Sequence, residues 1–157
     1  MNLLAQSFAA LTIPINWQTE KLPYTNVKIY NVKTNKVGAT VRMLIDSGAS
    51  STSLGGQYIK PLGIDLLKSK VKAALISLGR QQDAYQHKLK MQLGNLTPIT
   101  VGVFVREGQS DDNIIGWDVL NKAKIELFGG WTKPQLRYTE LAQAAMGNAG
   151  AYFRSRY

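Results

Sequence analysis

Asp46, Ser47 and Gly48 are the residues of this chain whose types and spacing could do chemistry. They close an apolar run in which Val41, Met43 and Ile45 alternate with Thr40, Arg42 and Leu44, a pattern that suits a strand buried on at least one face. Such a strand delivers a single carboxylate at its end, and the following glycine is free to take φ > 0 and turn the chain sharply. A carboxylate in that position costs desolvation free energy unless partners hold it. Asp46 therefore either has a task beyond packing or caps its own loop in an Asx-type turn.

The remaining candidates are fewer than composition first suggests. The 157 residues include no cysteine, which excludes disulfides, thiolate nucleophiles and sulfur-ligated zinc. The single histidine, His87, excludes any site that needs two imidazoles; it falls in an alternating strand pattern, and no nucleophile-elbow sequence accompanies it. Asp111 and Asp112 are adjacent acids on a polar loop, where solvation is the ordinary fate. No metal and no cofactor is expected.

The formal net charge is +9, which permits contact with nucleic acid or acidic partners. Lys68, Lys70 and Lys72 recur at every second residue, as on the solvent face of a strand. In the tail, Tyr152, Phe153, Arg154, Arg156 and Tyr157 interleave rings and cations, so the tail is the better candidate for nucleic-acid contact, against the commoner outcome of a disordered basic terminus. No apolar run approaches the roughly 20 residues of a membrane span, and Met1–Leu11 lacks the basic-then-apolar layout of a signal peptide. A soluble, intracellular protein without membrane contact is expected.

The elements that must position Asp46 read as β almost throughout. Met1–Leu11 shows no clear period, a short helix or a poorly ordered arm, and Thr12–Trp17 is extended around Pro14. Val27–Val32 and Val37–Ile45 flank the polar Lys33–Lys36, a hairpin. Gln57–Leu62 is a short strand or helical turn. Val71–Leu78 and Ala84–Leu93 are strands around Gly79–Asp83; Leu89, Met91 and Leu93 alternate with Lys88, Lys90 and Gln92. Ile99, Val101, Val103 and Val105 line one face of a further strand. Ile114-Ile115 is a short strand stopped by Gly116, Trp117–Lys122 one or two helical turns, and Ala123–Phe128 a last strand. After Gly129-Gly130, Thr139 is placed to N-cap a short helix over Glu140–Met146. The expected organisation is an arm over 1–24, one domain over 25–130, and a basic extension over 131–157.

In this order, Leu44-Ile45-Asp46-Ser47-Gly48-Ala49-Ser50, a glycine-tipped hairpin and Ile114-Ile115-Gly116-Trp117-Asp118-Val119-Leu120 resemble the retropepsin-like aspartic proteases of retroviruses, LTR retrotransposons and some cellular relatives. The second segment looks like the apolar-apolar-Gly-x-Asp-x-Leu signature of gypsy-type retrotransposon proteases. The resemblance covers roughly residues 27–128 and implies an all-β, closed retropepsin-like barrel with one short helix after Ile-Ile-Gly. It also implies an aspartic endopeptidase that cuts extended polypeptides, including its own viral or retrotransposon polyprotein, in the cytoplasm or inside a virus-like particle.

Hydrolysis of a peptide bond needs a base to activate water and an acid to protonate the carbonyl or the leaving amine. Two adjacent carboxylates sharing one proton supply both. With a single Asp-Ser-Gly in the chain, the second carboxylate must come from another copy, so a homodimer with Asp46 of each subunit at the two-fold axis is implied. By resemblance, Ser47 would lock the two loops together, Gly48 would admit the substrate backbone, and Ala49 and Ser50 would border it. Ile115 and Gly116 would pack beneath the loop. The hairpin would be a flap that closes over substrate through Leu78, Gly79, Arg80 and Gln81.

Two departures point away from the retroviral branch. The acid two residues after the catalytic glycine and the arginine after the later glycine are replaced by Ser50 and Trp117. Two other functions compete with proteolysis: the same fold kept as a non-catalytic binding or assembly module, and a small basic β-barrel that binds nucleic acid.

Overall fold

In the computed structural model, residues 10–14, 22–77, 80–94, 96–128 and 135–140 are described, with side chains for 22–76, 81–94 and 96–122. Strand β1 spans Ala10–Pro14, β2 Tyr24–Tyr30 and β3 Val37–Ile45. In β2 the residues Thr25, Val27 and Ile29 are buried while Asn26 and Lys28 are exposed, the period-2 burial of a sheet with one wet face. The β2–β3 turn is built by Asn31, whose side-chain oxygen accepts hydrogen bonds from the backbone N–H of Lys33 (2.9 Å) and Thr34 (3.1 Å). Asn35 takes the left-handed conformation there (φ 54°) that asparagine tolerates.

Past β4 (Ser53–Leu54), a 3-10 turn over Gly56–Tyr58 and a second over Leu66–Lys68 lead to the long hairpin of β5 (Lys72–Ser77) and β6 (Arg80–Leu93). Then follow β7 (Ile99–Arg106), β8 (Ile114–Ile115), the one-turn helix α1 (Trp117–Leu120), β9 (Ala123–Phe128) and β10 (Gln135–Glu140).

The strands β2-β3-β8-β4-β7-β6 form a continuous ladder, and β2 also pairs with β6, so the ladder returns to its start; β5 hangs from β6 outside that ring. Most pairings are antiparallel, but β3–β8 and β4–β7 are parallel. Inside the ring, Val27, Ile29, Val41, Met43, Leu54, Leu89, Met91, Val103, Val105 and Ile115 are fully buried. Each large apolar side chain so buried contributes roughly 1.5–3 kcal/mol. The fold is the all-β, ring-closed arrangement with one short helix that the resemblance implies. A second sheet joins β1, β10 and β9 in antiparallel order, with Ala10 opposite Thr139 and Gln135 opposite Phe128.

Three local expectations change and a fourth, left between two readings, is decided. Thr139 and Glu140 lie in β10 rather than at a helix N-terminus; residues 141–146 fall outside the described residues, as do 1–9 and the basic tail. The Lys68–Lys72 alternation is not a strand face. Leu66–Lys68 is a 3-10 turn whose Asp65 carboxylate accepts from the Leu67 N–H (3.1 Å), and only Lys72 enters β5. Of the two readings of Gln57–Leu62 the helical turn holds: a 3-10 turn spans Gly56–Tyr58 and the chain keeps turning to Gly63. The hairpin tip also lies earlier than Gly79–Asp83: Ser77 is opposite Arg80, so Arg80–Asp83 belong to β6, and Leu78 and Gly79, outside the described residues, lie between.

Candidate active site

The site is assembled where two parallel strand ends meet. Leu44 and Ile45 of β3 pair with Ile114 and Ile115 of β8, and the Asp46 N–H donates to the Ile115 carbonyl (3.0 Å). The chain then turns. The Gly48 N–H donates to Asp46 Oδ1 (2.9 Å) and the Ala49 N–H to the Asp46 carbonyl (3.2 Å). The Asx-type turn is thus present, but it does not consume the carboxylate: Asp46 is half-buried, and Ser47, Gly48 and Ser50 are exposed around it. Gly48 does not adopt a positive φ, so the turn itself places no left-handed demand on that residue.

Beneath this loop the segment Ala49–Thr52 runs beside Gly116–Asp118. The Trp117 N–H donates to the Ala49 carbonyl (2.7 Å) and the Asp118 N–H to the Ser50 carbonyl (3.3 Å). Gly116 is buried here because the backbones nearly touch: a Cβ on it would lie 2.5 Å from the Ser51 carbonyl carbon and 2.8 Å from the Ser51 nitrogen. The Thr52 hydroxyl accepts from the Gly116 N–H (3.1 Å) and donates to Asp118 Oδ1 (2.7 Å), while the Thr52 N–H donates to Asp118 Oδ2 (3.0 Å). Asp118 Oδ1 also accepts from the Val119 N–H (2.9 Å). Asp118 is therefore a loop-holding residue, and its carboxylate is bonded to Thr52 rather than to Asp46.

Asp46, Ser47, Gly48, Ala49, Ser50, Ile115 and Gly116 are thus gathered at one place. The hairpin residues are not joined to them: Gln81 is exposed, with no hydrogen bond to the Asp46 loop among the described residues, and Arg80 is a β6 residue at the hairpin end. Leu78 and Gly79 lie outside the described residues. The hairpin is anchored at its root, where Lys72 Nζ meets Asp83 Oδ2 at 2.8 Å, the Tyr85 hydroxyl donates to Glu107 Oε1 at 2.8 Å, and the Glu107 N–H donates to the Asp83 carbonyl at 3.1 Å. The hydrogen bond to Asp83 raises the Lys72 ammonium above its ordinary pKa.

Sequence reasoning missed three supports. Thr52, wholly buried, sits in a run of hydroxyl residues with nothing local to single it out. Asn113, buried, accepts from the Gly55 N–H through Oδ1 (2.9 Å) and from the Leu44 N–H through its carbonyl (2.8 Å), fixing the entry to β8. Arg106, only 2% exposed, donates from Nη1 to the Asp112 carbonyl (2.6 Å) and spans the Glu107–Asp112 loop; burial lowers its pKa, with Asp112 acting in the other direction. Among the described residues no three His, Asp or Glu side chains cluster as a metal site would require, and no helix is long and apolar enough to cross a membrane.

A family model described as gag-polyprotein putative aspartyl protease matches residues 30–122, more than half of the chain. Among solved structures, the retropepsin-like aspartic protease from Rickettsia conorii is similar at 19% identity and a TM-score of 0.58, over 81% of this chain and 98% of that one. The EIAV protease, solved with the inhibitor HBY-793, is 18% identical with a TM-score of 0.46, over 68% of this chain and 91% of that one. No curated protein matches the sequence. The matched span of the family model holds both Asp46 and the Ile-Ile-Gly segment beneath it.

Proposed function

This chain belongs to the gag-polyprotein aspartyl protease family and is an aspartic-type endopeptidase, and from that premise we propose that it acts as a homodimer whose two Asp46 carboxylates form one dyad. The observation that carries this reading is the state of Asp46. Its backbone N–H is bonded to the Ile115 carbonyl, yet its loop is open on the side of Ser47, Gly48 and Ser50. A half-site of this kind is completed by an identical loop across a two-fold axis.

In the dyad, the two carboxylates share a proton because both cannot ionise at close range, and their titration belongs to the pair. The ionised carboxylate takes a proton from water as the oxygen attacks the scissile carbonyl carbon, and the protonated one gives its proton to the carbonyl oxygen. Transfer of a proton to the amide nitrogen then lets the C–N bond break, releasing an amine and a carboxylic acid. Ser47 ties the loops together, Ala49 and Ser50 border the substrate backbone, and the β5–β6 hairpin closes over it through Leu78, Gly79, Arg80 and Gln81 and excludes water. The substrate is an extended polypeptide, and the natural one is the polyprotein of a virus or retrotransposon in which such a protease is encoded.

The test is cleavage of a denatured protein mixture across about pH 4–7, with and without pepstatin. Cleavage should be blocked by pepstatin and abolished by Asp46→Asn, with the variant's circular dichroism and melting unchanged. Proteolysis that survives Asp46→Asn would overturn the assignment.

A further inference from the structure

The outer face of the barrel along β2 and β6 carries a charge pattern that proteolysis does not use. On β2 the outward residues are Asn26, Lys28 and Tyr30, and on β6 they are Lys88, Lys90 and Gln92. The two strands pair directly, with Lys28 opposite Gln92. The β2–β3 turn adds Lys33 and Lys36 at the same end, tied in by a hydrogen bond from Lys90 Nζ to Asn35 Oδ1 (3.2 Å). Lys90 also lies over the Tyr30 ring, 4.5 Å from its centroid, and the Tyr30 hydroxyl donates to Gln92 (3.2 Å).

Five lysines therefore share one face, and residues 21–45 and 84–106 contain no acid at all. None of Lys28, Lys33, Lys36 and Lys88 is in an ion pair among the described residues, and all four are exposed. Like charges held together without counter-charges repel, and a polyanion laid across them relieves that repulsion while releasing its own counterions. The strand positions around the lysines are Asn26, Tyr30, Gln92 and Thr100, which offer hydrogen bonds and a ring; the exposed apolar side chains at this end, Val32 and Val37, are short and flank the lysine turn.

We propose that this β2–β6 face binds single-stranded nucleic acid, with the phosphates running across Lys28, Lys88, Lys90 and the Lys33–Lys36 turn, and Tyr30 at its centre. A strand fits because an open sheet face that mixes cations with a ring accepts phosphates and bases without requiring a duplex groove. The face is separate from the Asp46 loop, so binding is independent of cleavage and stands or falls apart from it.

Fluorescence anisotropy of the full chain with a labelled oligouridylate about 20 nucleotides long tests this. Binding should weaken with salt along a log–log slope of about −3 if about four phosphates are neutralised. Lys28→Glu/Lys88→Glu should weaken it by about tenfold or more, whereas the equal charge change Lys68→Glu/Lys122→Glu, outside the face, should change it by less than about twofold. Lys28→Gln/Lys88→Gln gives a milder loss in the same direction, and melting curves verify folding of each variant. Equal losses from the two glutamate pairs, salt-insensitive binding, no binding, or displacement of the RNA by poly-glutamate or anionic vesicles at equal charge concentration would each overturn the proposal.

Discussion

The Thr52 hydroxyl stands 2.7 Å from Asp118 Oδ1, across 66 residues of sequence, and this contact joins the two segments that form the floor beneath the Asp46 loop. The same hydroxyl accepts from the Gly116 N–H, and the second Asp118 oxygen takes the Thr52 N–H. One carboxylate and one hydroxyl thereby satisfy three backbone N–H groups, those of Thr52, Gly116 and Val119, at a point where the Gly116 and Ser51 backbones are in close contact.

Thr52→Val keeps the shape but leaves the Gly116 N–H without its acceptor and removes one of the two hydrogen bonds to Asp118 Oδ1, so it should cost about 2 kcal/mol of stability, and Asp118→Ala about 3 kcal/mol. Because both changes break one network, the double variant should cost less than the sum by at least about 1 kcal/mol. Urea denaturation of the four proteins measures this, and strict additivity would mean that the two side chains act separately.

Gly116→Ala should be more damaging than its size suggests. The new Cβ would meet backbone atoms of Ser51 at 2.5–2.8 Å, and backbone cannot swing aside as a side-chain tip can. A loss of about 3 kcal/mol is expected, together with loss of cleavage as the floor moves away from Asp46. Gly48→Ala is the matched comparison: its Cβ would approach only Asp46 Oδ1, at 3.2 Å. It should melt close to wild type while cleavage falls, because the displaced atom belongs to the carboxylate. If both alanines melt alike, the close-packing account of Gly116 is wrong.

What the sequence made legible follows from the range of each interaction. The β2, β3, β6 and β7 strands alternate apolar and polar residues because each has one face in the core, and that pattern is local. Asp46 and Ile114-Ile115-Gly116 were likewise visible as breaks in apolar runs. The Thr52–Asp118 joint was not, since a contact 66 residues long leaves no periodic trace. Arg80–Asp83 read as a loop because polar residues there resemble a turn, yet cross-strand pairing with Ala74–Ser77 keeps them extended. At Thr139 a good helix N-cap lost to pairing with β1 and β9, a tertiary choice that local propensity cannot express.

If the active site forms between two copies, mixing should expose it. Asp46→Asn chains added to an equal amount of wild type, and allowed to exchange, should leave about a quarter of the dimers with two intact carboxylates under random pairing. Activity per wild-type chain should then fall by about half, and continue to fall with excess variant. Specific activity of the wild type should also drop on dilution as dimers dissociate. Activity that is linear in enzyme and unaffected by the variant would show that one chain suffices.

His87 gives the fold an acid limit that is separate from the proposed dyad. It lies on β6 opposite the wholly buried Val103, and its Nε2 is buried without a hydrogen-bond partner. Burial holds its pKa below the ordinary 6.5, with Asp65 acting weakly in the other direction. As pH falls past 6.5, the unfolded chain takes up a proton that the folded chain still refuses, so the unfolded state binds more protons and stability declines. The decline ends once pH is below the folded pKa, where both states are protonated. His87→Leu removes the titrating ring while keeping an apolar contact for Val103. The wild type should therefore lose more of its urea midpoint than the variant between about pH 7.5 and pH 5. Equal pH profiles would mean that the imidazole reaches water when charged. Since carboxylate dyads work on the acid side of neutrality, the leucine variant should also stay active longer during incubation at the acid end of the cleavage range.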